Sequence, residues 1–150
     1  MTIQKANPAW IEDAICQAEK SWEEGGIPIG AVLVDGCGTI VSHGHNERVQ
    51  REDPTAHAEI VCFRNAGRRR DWKELTLVST LSPCIMCTGA TLLFGLKRVI
   101  VGENKSFLGA EDLMCSNSVQ VTVLQDKRCI ELMQRMQAEK PGLWSEDIGQ

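Results

Sequence analysis

The chain has no excess of basic residues: 16 Lys and Arg stand against 20 Asp and Glu, a net charge of −4. Affinity for nucleic acid rests mainly on cations that neutralise phosphates, so this balance argues against a polyanionic partner. The one basic run, Arg64 with Arg68-Arg69-Arg70, falls where a helix is expected to end and reads first as a solvated last turn. No apolar run approaches the ~20 residues that cross a bilayer. The opening stretch already carries Lys5, Glu12 and Asp13, unlike a secretion signal. An even, regularly spaced cysteine set is also missing. Seven cysteines at irregular spacing make a poor disulfide framework and suggest a reducing compartment, the cytoplasm. Repeats, low-complexity tracts and linkers are absent too. Residues 1–150 are therefore expected to form one soluble domain that buries roughly 70% of its unfolded surface.

What is present reads as strands alternating with helices. Pro8 to Glu24 repeats Trp10, Ile11, Ala14, Ile15, Ala18 and Trp22 at helical spacing and stops at Gly25-Gly26. Pro28 to Val34 and Thr39 to Ser42 flank the turn Asp35-Gly36-Cys37-Gly38 and predict a hairpin, after which His43 to Asn46 leaves the sheet edge. Glu47 to Asp53 reads as loop, and a helix is expected from about Ala56 to Gly67. Strands at Leu75–Leu81, Arg98–Gly102 and Val119–Leu124 are separated by a helix, Cys84–Phe94, and by an irregular stretch, Glu103 to Asn117. Asp126 caps a last helix running to about Glu139, and Pro141-Gly142 turns the chain into a short tail. The pattern predicts an α/β fold: a three-layer α/β/α sandwich with a mixed five-stranded sheet covered by helices on both faces. The gap before the last strand is long enough for a crossover, so the last two strands are expected to be parallel.

Two short runs carry the chemistry. His57-Ala58-Glu59 offers an imidazole and a carboxylate two residues apart, and Pro83-Cys84-Ile85-Met86-Cys87 offers two thiols at the start of a helix. A catalytic Zn²⁺ takes three protein ligands and leaves a fourth position for water, whose pKa it lowers to about 7. His57, Cys84 and Cys87 meet that need, and Glu59 would stand beside the metal as a proton shuttle. Two plainer readings stand beside this one. A Cys-x-x-Cys pair can be a redox couple, and the same residue types build closed structural zinc sites. Cys16, Cys37, Cys62, Cys115 and Cys129 are scattered singly, so no second ligand pair supports the structural reading. His43 and His45 are expected to be surface or hydrogen-bonding groups, because the ligand set is already complete.

His-x-Glu with Pro-Cys-x-x-Cys is the signature of zinc nucleobase deaminases. Over nearly its full length the chain resembles the cytidine-deaminase-like superfamily. Asp53-Pro54-Thr55-Ala56-His57-Ala58-Glu59 looks like the tRNA adenosine deaminases and bacterial guanine deaminases. Thr80 to Ala90, Val101-Gly102-Glu103-Asn104 with Phe107, and the tail Trp144-Ser145-Glu146-Asp147-Ile148-Gly149 resemble the fungal-type zinc cytosine deaminases, which cover more of the chain. That resemblance implies hydrolysis of cytosine to uracil and ammonia in pyrimidine salvage, one Zn²⁺ per subunit, and a homodimer. It implies Glu59 as the catalytic residue and a C-terminal segment, about 141–150, closing the active site. For the base it implies contacts from Asn46, Ser82, Asp147, Phe107, Trp144, Ile29 and the backbone N–H of Ala58, where the fungal enzymes carry Gly. Guanine deaminase is the alternative. A tRNA adenosine deaminase and a non-catalytic zinc-stabilised binding module stand further off.

Overall fold

A computed structural model describes residues 5–150 of the chain. Helix α1 (Pro8–Glu23) starts where the Asn7 side chain accepts from the Ala9 N–H at 3.0 Å and Pro8 takes the first turn, where its missing donor costs nothing. Strands β1 (Gly30–Val34) and β2 (Ile40–His45) form the antiparallel hairpin. Strand β3 (Thr76–Ser79) pairs antiparallel with β1, whereas β4 (Arg98–Val101) and β5 (Gln120–Val123) add in parallel. The order β2-β1-β3-β4-β5 is the expected mixed five-stranded sheet.

Period-two alternation divides the core between two faces. Val32, Val34, Val78 and Ile100 pack with Trp10, Ile11, Ala14 and Ile15 of α1 and with Cys129 of α6 (Lys127–Glu139). Ala31, Leu33, Leu77, Val99 and Val101 point the other way, against Ala58, Cys62 and Phe63 of α3 (Ala58–Ala66). Two glycines let the helices sit directly on the hairpin. A Cβ on Gly30 would collide with the α1 backbone at Ala14 and Ala18, and one on Gly44 with the α3 backbone at Ala58 and Cys62.

Several segments differ from the sequence reading. β2 runs on through His43 and Gly44 to His45, which pair with Val32, Ala31 and Gly30, so the chain does not leave the sheet at His43. His43 is exposed, while His45 is buried with its Nε2 at 2.8 Å from Glu24 Oε1. The stretch read as loop contains a four-residue helix, α2 (Arg48–Arg51), tied by its Gln50 side chain to Ser21 and the Asn46 carbonyl. The stretch read as irregular contains α5 (Glu111–Ser116), which buries Met114. The tail is helical as well: α7 (Pro141–Asp147) buries Trp144 and Asp147. Short helices with no apolar repeat of their own are held by the surface they cover, which local sequence cannot signal.

Candidate active site

Helix α3 and helix α4 (Ile85–Phe94) begin side by side, with His57 and Cys84 in their N-cap positions and Glu59 and Cys87 in their first turns. Unpaired N–H groups and the helix dipole at such ends favour thiolate and carboxylate charge. The segment feeding α4 follows β3, and the loop carrying Phe107 follows β4. The cluster therefore lies beyond the carboxyl ends of the parallel strands, the usual place for a site in an open α/β sheet.

His57 Nδ1 lies 3.4 Å from Cys84 Sγ and 3.7 Å from Cys87 Sγ. Ligands at about 2.0–2.1 Å (N) and 2.3 Å (S) at tetrahedral angles around one Zn²⁺ would be separated by about 3.6 Å, so the donors stand where a shared ion needs them. Among the described residues this cluster holds three ligands, all within 4.8 Å of one another. One position of a tetrahedron is left over, as in catalytic rather than structural zinc sites. Without an ion, a hydrogen bond from the Cys87 thiol outweighs burial and, with His57, brings Cys84 down to about 4. Burial raises Cys87. Burial alone would lower His57, but its bond to Cys84 and the charges of Asp147, Glu59 and Cys84 lift it to about 9.

Glu59 is 3% exposed, and burial raises its carboxyl above the ordinary range against the opposing pull of His57. Ser79, at the end of β3, donates to Glu59 Oε1 at 2.9 Å and fixes its orientation. A buried acid with a raised pKa beside a metal cluster is equipped to carry protons.

The cytidine and deoxycytidylate deaminase zinc-binding region matches residues 4–103. The chain belongs to this deaminase family. A cytosine deaminase from Candida albicans is 48% identical over 142 residues, 93% of this chain and 95% of its own. A tRNA-specific adenosine deaminase from Haemophilus influenzae is 38% identical over 116 residues, 70% of this chain and 67% of its own. Among solved structures, one from a study of tRNA:A34 deaminases shares 27% identity at a TM-score of 0.74, covering 84% of this chain and 99% of its own. The guanine deaminase from Nitrosomonas europaea superposes at a TM-score of 0.74 with 19% identity, over 91% and 87% of the two chains, and shows the common fold.

In this zinc-binding deaminase the cluster borders two cavities that share lining residues. An inner cavity of about 20 Å³ is lined by Ile29, His57, Glu59, Leu81, Ser82, Cys84, Phe107, Trp144, Asp147 and Ile148. An outer one of about 580 Å³ shares His57, Cys84, Phe107, Asp147 and Ile148 with it. The inner space suffices for a water or two but not for a base. Phe107 and Trp144 meet edge to face over it, with ring centroids 5.6 Å apart.

Eight of the residues expected from the sequence thus line the inner cavity together: Ile29, His57, Glu59, Ser82, Cys84, Phe107, Trp144 and Asp147. Cys87, the third member of the cluster, is fully buried and does not line the cavity. Asn46 and Ala58 do not line the cavity. Ala58 is buried in the first turn of α3. Asn46 stands behind Asp147, donating from Nδ2 to Asp147 Oδ1 at 3.3 Å, while its own Oδ1 accepts the Arg48 N–H. The same Asp147 oxygen lies 3.4 Å from His57 Nε2, so the carboxylate braces the ring nitrogen opposite the sulfurs. The Ser82 hydroxyl is also engaged, with Glu111 and Gly109 rather than the cavity. Sequence reasoning missed Ser79, Leu81, Ile148 and Glu111. Ile148 sat inside the recognised tail motif, whereas Ser79 and Glu111 gave no signal beyond a polar residue at a strand end and an acid in an apparent loop.

Proposed function

We propose that this deaminase converts cytosine to uracil and ammonia, accepts 5-substituted cytosines, and uses one Zn²⁺ per subunit. The observation that carries the reading is the closure of the inner cavity by the chain's own Trp144, Asp147 and Ile148. An inner cavity walled by the chain's own C-terminal segment suits a small free base, while a base still attached to tRNA would need the space α7 fills. The relative that matches 93% of this chain with a cytosine deaminase's name supports the same choice.

His57 Nδ1, Cys84 Sγ and Cys87 Sγ would hold the ion, which when bound supplies the Lewis acidity that makes water a nucleophile near neutral pH. Glu59 carries the protons. It delivers one from water to ring N3 as oxygen adds at C4, then moves the other to the exocyclic nitrogen, which leaves as ammonia. The Ser79 hydroxyl keeps that carboxyl aimed. Asp147, freed from Asn46, accepts from the exocyclic amine, and the Asn46 carboxamide then faces the N1–H and O2 edge. Ile29, which lines the inner cavity, forms the floor. Trp144 moves off Phe107 to admit the ring and closes over it again, which excludes water during proton transfer.

The chain works as one domain and as a homodimer. The dimer is supported by α4, which contains no charged residue and leaves Ile85, Leu93 and Phe94 exposed. A helix apolar on every side is one that a second surface covers. Among the described residues no helix is long and apolar enough to cross a membrane, and seven free cysteines suit a reducing cytoplasm, the setting for pyrimidine salvage.

The test is ammonia release from cytosine, guanine, adenine, cytidine and a tRNA anticodon stem-loop, with metal content measured on the same protein. Release from cytosine far above the others is the expected result. Release from guanine or from the stem-loop would overturn the choice of substrate and leave the metal chemistry standing.

A further inference from the structure

The loop that carries Phe107 is fastened to the segment just before Cys84 by a set of polar contacts that the reaction itself does not use. Ser82 Oγ donates to Glu111 Oε2 at 2.6 Å and accepts the Gly109 N–H at 2.9 Å. The Ala110 N–H donates to the Pro83 carbonyl at 3.1 Å. Glu111 Oε1 accepts from Asn104 Nδ2 at 3.2 Å, and Asn104 Oδ1 accepts from Gln125 Nε2 at 2.6 Å. At the other end of the loop Glu103, fully buried, accepts the Lys105 and Ser106 N–H groups at 2.7 and 2.9 Å. Gly109 lies so close to Pro83 that any Cβ there would run into the Pro83 carbonyl. The loop therefore has one seating on this segment, not a range of them.

Glu111 is the hub. It is the only group in the set that holds both the pocket-lining Ser82 and the loop residue Asn104, and as a carboxylate it can only accept. That fixes the Ser82 hydroxyl hydrogen away from the inner cavity. The Gly109 N–H takes up a lone pair on the same oxygen. Ser82 is thereby kept from offering its hydrogen to a ring in the pocket, and Phe107 is held at the height where it meets Trp144.

We propose that Glu111 is a positioning residue for substrate binding: it pins Ser82 and the 104–110 loop so that Phe107 forms the fixed wall against which Trp144 closes. The proposal rests on the deaminase reading for its substrate but not for its structural arm. With Glu111→Ala, the Ser82 hydroxyl hydrogen is freed to turn toward the cavity and the loop residue Asn104 loses its acceptor. A base should then bind more weakly, while chemistry at Glu59, on another helix, is spared the larger part of the effect.

The experiment compares wild type, Glu111→Ala, Glu111→Gln and Ser82→Ala. Steady-state kinetics use whichever free base of the panel the wild type deaminates, beside zinc content and amide hydrogen exchange of residues 104–110. Glu111→Ala should raise KM about tenfold, the factor that one charge-assisted hydrogen bond is worth, with kcat falling less than KM rises and zinc unchanged. Glu111→Gln keeps one acceptor and should recover part of KM. Exchange in 104–110 should speed up in Glu111→Ala while the α4 amides stay protected. Ser82→Ala should loosen the loop without adding a donor to the pocket, and so raise KM less than Glu111→Ala does. Unaltered KM with a lowered Tm would reduce Glu111 to a fold-stabilising role and overturn the proposal. So would a joint fall in kcat and zinc. If the wild type deaminates no free base, the function reading fails and hydrogen exchange alone decides: unchanged exchange in 104–110 on Glu111→Ala refutes the clasp.

Discussion

Replacing Glu59 by Gln is the sharpest test of the proton-carrying role, because the structure separates its effect on chemistry from its effect on folding. The side chain is 3% exposed and receives the Ser79 hydroxyl at 2.9 Å on Oε1. An amide of the same shape keeps an oxygen for Ser79 and fills the same volume. What it cannot do is take up and release a proton near neutral pH. General acid–base catalysis by one group is worth about 10²–10⁴ in rate, which is about 2.7–5.4 kcal/mol of barrier at 1.36 kcal/mol per decade. Turnover should therefore fall by at least about 10²-fold. Stability should move the other way or not at all, since burial penalises the Glu59 carboxylate and a neutral amide escapes that penalty. The assay is ammonia release at saturating base, with zinc content and Tm measured on the same preparation. Turnover within about threefold of wild type, less than ~0.7 kcal/mol, would remove Glu59 from the mechanism. Loss of zinc together with activity would show that Glu59 supports the metal instead.

Three further outcomes follow from packing and charge. Gly44→Ala drives a methyl group into the backbone of α3 at Ala58 and Cys62. It should cost about 1–3 kcal/mol in urea unfolding, and an unchanged midpoint would mean that α3 does not rest on β2 this closely. Asp126 caps α6, and its carboxyl is held below the ordinary 3.8 by the Arg128 side chain, against opposing burial. Asp126→Ala should cost about 1 kcal/mol at neutral pH. A depressed carboxylate contributes above its unfolded pKa and loses that contribution as pH falls through the folded one. The gap between wild type and variant should thus narrow below about pH 3.8, and a gap that widens there would refute the pairing. Stripping zinc with a chelator should destabilise the fold reversibly, by up to about 4 kcal/mol of linkage at a thousandfold excess over Kd, read as a lower Tm. An identical melt with and without metal would separate the cluster from any ion.

Local chemistry carried most of what the sequence determined. His57, Glu59, Cys84 and Cys87 were legible because a metal and its proton carrier demand particular side chains at short spacings, and helix ends advertise themselves through Pro83 and the caps. The succession of strands and helices after an opening hairpin was equally legible, and it foretold the sheet covered on both sides that the two cores on its faces show. Tertiary structure decided what depends on surfaces meeting. His43, Gly44 and His45 have no strand-forming side chains, and they become strand because β1 pairs with them and α3 needs Gly44 there. The helices α2, α5 and α7 are too short to form alone and exist on the surfaces they cover. Within the site, the sequence named Asn46, Ser82 and Asp147 as groups for the substrate. Only the fold put Asp147 between Asn46 and His57 and turned Ser82 toward Glu111. Residues 101 and 29 positions apart in the chain become hydrogen-bond partners there. Such contacts depend on how the loops are seated and leave no periodicity for a sequence to display.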